Sequence, residues 1–292
     1  MYYIVYGLLY IISLLPLSVL YLFSDFAFFL LYYLIGYREK IVLSNLRQAF
    51  PAKTEEERKK IAKQFYRNFA DNFIEFVKMI SASPSYLKKH ITGDYSLPLK
   101  IYNEGRRSQL LLAHSFNWEW ACVAVAAGIR QKFLAVYMPI TNKVVNRIFM
   151  KVRSKTGAIL LPATDMRSAI LPYRNEVYMI GLVADQNPGD PSGALWYNFF
   201  GKPTPFVRGP ESSARRGNTP VLFCKFVKEK RGHYKILFEM GEENPAALKE
   251  GDLTKKYINF LQQIISDQPD NWLWSHRRWK WDWREEYDKV RN

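Results

Sequence analysis

Apolar residues run almost unbroken from the N-terminus through MYYIVYGLLYIISLLPLSVLYLFSDFAFFLLYYLIGY, and the pattern changes abruptly after Gly36. A helix that crosses a bilayer needs roughly 20 apolar residues. Tyr2 to Phe23 meets that length, with Pro16 as a kink, and Phe26 to Ile35 forms a shorter stretch suited to an interfacial or core-packed helix. The leader lacks the basic opening of a secretory signal, and its flanks are rich in tyrosine, as an interfacial belt is. Its first basic residues, Arg38, Lys40 and Arg47, follow the apolar run, so the positive-inside rule places the rest of the chain in the cytoplasm. A buried helical pair of a soluble protein would give a similar pattern. The reading adopted is a membrane anchor over residues 1–36 and one α/β domain over residues 37–292.

Beyond the leader the periodicity alternates. Thr54 and Glu57 form a T-x-x-E capping box, and Ile61, Phe65, Phe69, Phe73, Phe76 and Ile80 recur mostly at four-residue steps. This predicts one long amphipathic helix from Glu55 to Ile80. Short apolar runs at 109–113, 132–137, 158–161, 177–184, 221–227 and 234–239 read as strands. Helical patterns at 118–127, 144–152 and 254–266 separate or follow them. Such alternation predicts an α/β fold: a mixed central sheet flanked by helices, preceded by an N-terminal transmembrane helix.

Composition narrows the function. Hydrophobic residues make up 48% of the 292 residues, enough to support a packed core and to exclude disorder as the main state. With 42 Lys+Arg against 27 Asp+Glu the net charge is +15, and no Lys or Arg lies in the leader, so the positive excess belongs to the body. An anionic partner follows: a membrane surface, a phosphorylated lipid, an acidic carrier protein or a nucleic acid. Two cysteines, Cys122 and Cys224, exclude a disulfide scaffold, and four dispersed histidines argue against a local metal cluster. Nothing in the sequence calls for a metal or redox cofactor.

Candidate chemistry lies at strand ends, where open α/β sheets place their ligands. His114 follows the first of the short strands directly, and Glu119 is five residues on. On one continuous helix that spacing gives a rotation of ~140°, which would turn the two apart. A pair therefore requires His114 in the loop and Glu119 in the first helical turn. A neutral imidazole can accept a hydroxyl proton, and a carboxylate on its other nitrogen fixes the tautomer. A loop histidine beside an unrelated glutamate is the plainer alternative. Asp185 and Gln186 follow the most apolar strand and reach the same end of the sheet; Asp185 would equally serve to cap the Asn187-Pro188-Gly189 turn. His276, Arg277, Arg278 and Lys280 are interleaved with five tryptophans from Trp272 to Trp283. That mixture suits a membrane interface, single-stranded nucleic acid, or a tryptophan core covered by cations.

The order of motifs resembles the bacterial lipid A biosynthesis (late) acyltransferases of the lysophospholipid acyltransferase superfamily. The resemblance rests on LSNLRQAFP (Leu43 to Pro51), the H-x4-E box at His114 and Glu119, GLVADQNPG (Gly181 to Gly189), FFGKPTPFVRGP (Phe199 to Pro210) and WLWSHRRWK (Trp272 to Lys280). It implies transfer of an acyl chain from an acyl-carrier-protein thioester to a hydroxyl of a membrane-embedded, phosphorylated glycolipid at the bacterial inner membrane. The catalytic domain would lie on the cytoplasmic face of a single-pass anchor. In that reading His114 is the general base and Glu119 orients it. Arg153, with Arg147 and Lys151 nearby, serves an oxyanion or a phosphate. Asp185 and Gln186 line the site, and Thr204, Arg208 and Gly209 fall in a substrate-headgroup loop. The tryptophan-rich segment takes a structural role near the site, and no nucleic acid is expected as partner. A phospholipid, aminolipid or other glycolipid acceptor fits the same motifs, and a non-catalytic binder of anionic lipid is the reading from a different class.

Overall fold

A computed structural model describes residues 1–291. The leader forms helix α1 (Tyr2–Leu14) and helix α2 (Leu17–Phe29), the latter continued by a π-helical turn over Leu30–Ile35. The expected spanning helix from Tyr2 to Phe23, kinked at Pro16, is instead two helices. Pro16 cannot donate a backbone hydrogen bond and forces Leu15, at φ −58° and ψ 148°, out of helical geometry. The segment long and apolar enough to cross a membrane is instead Leu17–Ile35, 19 residues with mean hydropathy 1.8 and little of it buried.

Helix α3 (Glu39–Ala49) leads into α4 (Glu55–Met79). Thr54 caps α4 as its sequence predicts: its hydroxyl accepts from the Glu57 amide, and the Glu57 carboxylate accepts from the Thr54 amide. Both α1 and α2 pack on α4. The contact is partly polar, with the Ser24 hydroxyl donating to Asp71 at 2.7 Å, the Tyr21 hydroxyl to Glu75 at 2.8 Å, and Lys78 to the Ser13 and Leu15 carbonyls at 2.9 Å. Away from α4 the pair presents Ile4, Leu8, Ile11, Leu22, Phe26 and Leu34 to the surroundings.

The chain then runs through α5 (Pro84–His90), β1 (Ile91–Gly93), α6 (Ser96–Asn103), β2 (Ser108–Leu112), α7 (Trp118–Gly128), β3 (Lys132–Tyr137), α8 (Lys143–Arg153), β4 (Ile159–Pro162), α9 (Met166–Ile170) and β5 (Tyr178–Val183). A hairpin of β6 (Leu195–Phe199) and β7 (Lys202–Phe206) comes next. It is followed by α10 (Gly209–Gly217), β8 (Val221–Lys230), β9 (His233–Glu242), α11 (Asp252–Asp267) and β10 (Val290–Arg291). Seven strands form one mixed sheet in the order β1-β9-β8-β2-β5-β3-β4, parallel except for the β8–β9 pair. β2 and β5, fully or largely buried apolar runs, lie side by side near its middle, with Leu110 opposite Gly181 and Leu112 opposite Val183. Such runs are what a sheet covered on both faces requires. The α/β expectation is met, and most predicted element ends fall within a few residues of those observed.

A second sheet, β10-β6-β7, has no counterpart in the sequence reading. Its hairpin turns on Phe200 and Gly201, with φ of 50° and 79°. Two positive φ values between paired strands are those of a type I′ turn, which needs glycine or a residue held in the left-handed region. The Phe-Phe-Gly motif is thus a turn.

Candidate active site

β2 and β5 deliver His114 and Asp185 to the same edge of the sheet. The register that sets Leu112 opposite Val183 brings the residues two steps beyond each strand together. His114 Nδ1 lies 2.6 Å from Asp185 Oδ1, and the His114 amide donates to Asp185 Oδ2 at 2.9 Å. The Trp272 indole donates to the same Oδ2 at 2.7 Å. Asp185 is fully buried. Burial alone would raise its pKa, but the His114 ring and the three hydrogen bonds outweigh that and hold the carboxyl below its usual range. With Nδ1 engaged, Nε2 of His114 has no protein partner among the described residues. Trp118 meets the imidazole edge-on at a centroid distance of 5.4 Å.

Glu119 stands in the first turn of α7, as the spacing requires, yet its carboxylate does not reach His114. It is taken by Arg153 at the end of α8: Nε donates to Oε2 at 2.7 Å and Nη2 to Oε1 at 2.5 Å. The Trp118 indole adds a third bond at 3.0 Å. The expected His114–Glu119 hydrogen bond is therefore replaced by two pairs, His114–Asp185 and Glu119–Arg153. The physical reason is that a bidentate guanidinium pair satisfies a buried carboxylate better than one imidazole bond. Burial lowers the Arg153 pKa, but Glu119 more than offsets this and the guanidinium is held above its ordinary value. Its Nη1 has no protein partner among the described residues.

The N-cap of α7 fixes this arrangement. Asn117 Oδ1 accepts from the Glu119 and Trp120 amides at 3.1 and 3.3 Å, and its Nδ2 donates to Glu75 at 3.0 Å. Glu75, fully buried, also accepts from Tyr234 at 2.6 Å and from Tyr21. Burial pushes its carboxyl upward, opposed by Lys228 and these hydrogen bonds. The leader is thereby linked through α4 to the turn that carries Glu119.

A cavity of about 440 Å³ opens beside His114. His114, Glu119, Arg153 and Gln186 line its polar end, while Leu112, Phe133, Ala135, Val136, Leu160 and Leu182 are among its apolar walls. Gly181 permits the close approach of Phe133, since a Cβ there would meet that ring at 2.6 Å. A larger depression of about 750 Å³ lies between α2, α4 and β8, remote from this chemistry in its lining. Its cations Arg67, Lys228, Lys230 and Arg231 are matched by Asp25, Asp71, Glu229 and Asp270. Of these two, the smaller joins an imidazole to apolar walls.

Residues 1–281 match the family model described as bacterial lipid A biosynthesis acyltransferase. The chain belongs to that family. It is an acyltransferase of lipid A biosynthesis. No curated protein matches it. In this acyltransferase the three expected headgroup-loop residues, Thr204, Arg208 and Gly209, do not line the cavity, although Val207 beside Arg208 does. Thr204 is buried in β7 and donates to the Lys202 carbonyl. The Arg208 guanidinium is consumed by Glu250 at 2.5 Å, Asp288 at 2.6 Å and the Gly193 and Ala194 carbonyls. Gly209 begins α10. The Arg208 guanidinium is thus held by two carboxylates.

The tryptophan-rich segment of the acyltransferase is a clamp. Trp272 and Trp274 are buried, Leu273 N donates to the His114 carbonyl at 3.1 Å, and Phe116 N donates to the Asn271 carbonyl at 2.9 Å. Asn45 of the LSNL motif holds the segment from behind, donating to the Trp274 and His276 carbonyls at 2.7 and 2.8 Å. His276 accepts from the Asn187 amide at 3.3 Å. Burial, then the charge of Arg278, pushes its pKa down to about 4, so the ring is neutral near pH 7. Arg278, wholly buried, donates to Asn187 at 2.7 Å and the Pro205 carbonyl at 2.9 Å, beneath the Phe206 ring. Sequence reasoning missed Asn117 and Glu75, while it named Trp272 only within a segment of structural role near the site. Asn117 alone carried a signal, as a residue of N-cap type directly before a helical pattern. Burial raises the thiols of Cys122 and Cys224 to about 12, which removes them as nucleophiles.

Proposed function

We propose that the acyltransferase moves a fatty acyl chain from an acyl-carrier-protein thioester to a hydroxyl of a lipid A precursor, with His114 as general base. The observation that carries this reading is the His114–Asp185 hydrogen bond at the polar end of an apolar cavity. Asp185 accepts a hydrogen bond from Nδ1–H, which fixes the tautomer with Nε2 as base and stabilises the imidazolium that forms. Nε2 takes the acceptor's hydroxyl proton as its oxygen attacks the thioester carbonyl. A tetrahedral oxyanion results, and Arg153 Nη1, aimed by Glu119, is the donor proposed for it. Collapse breaks the carbon–sulfur bond, and the imidazolium returns its proton to the departing thiolate. The acyl chain occupies the Phe133–Leu160–Leu182 side of the cavity.

The same proposal places the enzyme on the cytoplasmic face of the bacterial inner membrane, held through the exposed apolar surface of α1 and α2. The pairing of Ser24 with Asp71 and of Asp25 with Arg231 at 2.6 Å ties α2 to a polar body. Burying those charges at hydrocarbon depth is expensive. This favours a helix pair laid into one leaflet over a helix that leaves the body to span. The basic surface then meets phosphorylated lipid and acidic carrier protein.

Purified full-length enzyme, carrier-protein thioesters of several lengths and a panel of lipid acceptors test the reading. Transfer to the lipid A precursor is expected, and the His114→Ala variant should lose it while still sedimenting with membranes. Near-normal transfer by that variant would remove His114 from the role of base.

A further inference from the structure

A second basic group lies next to the cavity, on α8. Arg147 and Lys151 are one helical turn apart and share a face. Their charges rest on two rings of α1: Arg147 Cζ is 3.9 Å from the Tyr2 centroid, and Lys151 Nζ is 4.0 Å from that of Tyr6. Neither has a carboxylate within 4.0 Å among the described residues, and neither side chain donates a hydrogen bond to protein. This differs from Arg208 and Arg231, each held by two carboxylates. Both cations remain exposed, and they line a recess of about 500 Å³ between α1 and α8. Leu160 lines this recess and the cavity beside His114 alike. The outer side of α1 at this level is apolar, with Tyr3, Ile4 and Leu8 exposed.

We propose that Arg147 and Lys151 form a subsite for a phosphate monoester carried by the acceptor lipid. The proposal rests on the transfer reading above and specifies its acceptor. Two unpartnered cations suit a group of nearly two negative charges better than a single carboxylate. The guanidinium offers paired donors to its oxygens, and the ammonium a compact charge. The tyrosine rings hold both side chains extended without neutralising them. Their place beside an apolar helix face selects an anion delivered from a bilayer. Their place one residue from the acyl cavity sets that anion near the hydroxyl to be acylated.

The test compares full-length wild type with R147Q, K151Q and the double variant. Acceptors are a phosphorylated glycolipid and the same lipid after phosphatase treatment. The expected result is a KM for the phosphorylated acceptor raised roughly tenfold per charge removed, the loss of one charge-assisted hydrogen bond. Values of kcat and of KM for the dephosphorylated acceptor should not change, and R147K should recover part of the loss. Equal increases for both acceptors would overturn the subsite in favour of a clasp between α1 and α8. An increase confined to the thioester donor would overturn it in favour of a carrier-borne phosphate.

A second arm does not need turnover. In the H114A background, sedimentation with phosphatidylcholine vesicles, with and without phosphatidic acid, reads binding directly. The double variant should lose the increment due to phosphatidic acid and keep binding to phosphatidylcholine. A retained increment refutes the proposal whether or not the enzyme transfers acyl chains. Inorganic phosphate should compete no better than chloride at equal ionic strength; stronger competition would assign the site to free phosphate instead.

Discussion

His114 and Asp185 meet at 2.6 Å although 71 residues separate them, because β2 and β5 are parallel neighbours in register. The pairing makes Asp185 the group that fixes the imidazole. Asp185→Asn keeps the size but can present an amide N–H to Nδ1, favouring the wrong tautomer. We expect kcat to fall by about 10⁴-fold, the scale known for the analogous change in serine-protease triads. KM for both substrates should move little. Steady-state transfer assays read this, and a variant that keeps most of its kcat would show the pair to be structural.

Glu119 and Arg153 should behave as one unit. Removing either partner of a buried pair leaves a charge uncompensated and costs about 3–5 kcal/mol. Glu119→Ala and Arg153→Ala should each lower the unfolding midpoint by a similar amount. In a double-mutant cycle the effects on stability and on kcat should be strongly non-additive. Additive losses would mean that the two residues act separately and that Glu119 does not aim the guanidinium.

The contrast between these pairs shows which parts of the molecule local sequence encodes. The capping box at Thr54, the strand over Lys132–Tyr137 and the placing of His114 just beyond a strand all follow from local pattern. The partners do not. Glu119 is five residues from His114 and so drew the eye as its carboxylate, but strand order gives that part to Asp185. Order and register arise from packing across the whole sheet, which no window of sequence contains. The partners of Arg208 were hidden for the same reason, since Glu250 and Asp288 reach it from distant segments. The β6–β7 hairpin was missed because Pro203 and Pro205 interrupt the pattern of a strand that borders only one neighbour, where missing donors are tolerated. The tryptophans, read partly as an interfacial belt, divide: Trp272 and Trp274 are core, and Trp283 is exposed.

Chain-length preference should respond to the wall of the cavity. Ala135 sits on β3 among its lining residues, where a larger side chain takes up acyl space. Ala135→Leu should shift preference toward shorter donors. Each methylene that no longer finds a contact loses about 0.8 kcal/mol, or roughly fourfold in kcat/KM. Competition among thioesters of graded length measures it. A uniform loss across all lengths would place the chain elsewhere.

The acid side of the stability curve should carry the signature of His276. Its pKa lies near 4 in the folded enzyme, whereas an unfolded histidine titrates near 6.5. Between those values the unfolded chain binds a proton that the folded one refuses. Stability therefore rises with pH across this window and is lost as the pH falls from about 6.5 toward 4. Partial exposure of the ring limits the loss to about 1–2 kcal/mol. His276→Gln keeps a polar side chain of similar reach facing the Asn187 amide but cannot take up the proton. Its denaturation midpoint should be flatter than that of the wild type between pH 6.5 and 4, and the two should run parallel above pH 7. If the wild-type and variant profiles keep the same slope across the window, the ring is protonated in the folded enzyme and does not accept from Asn187.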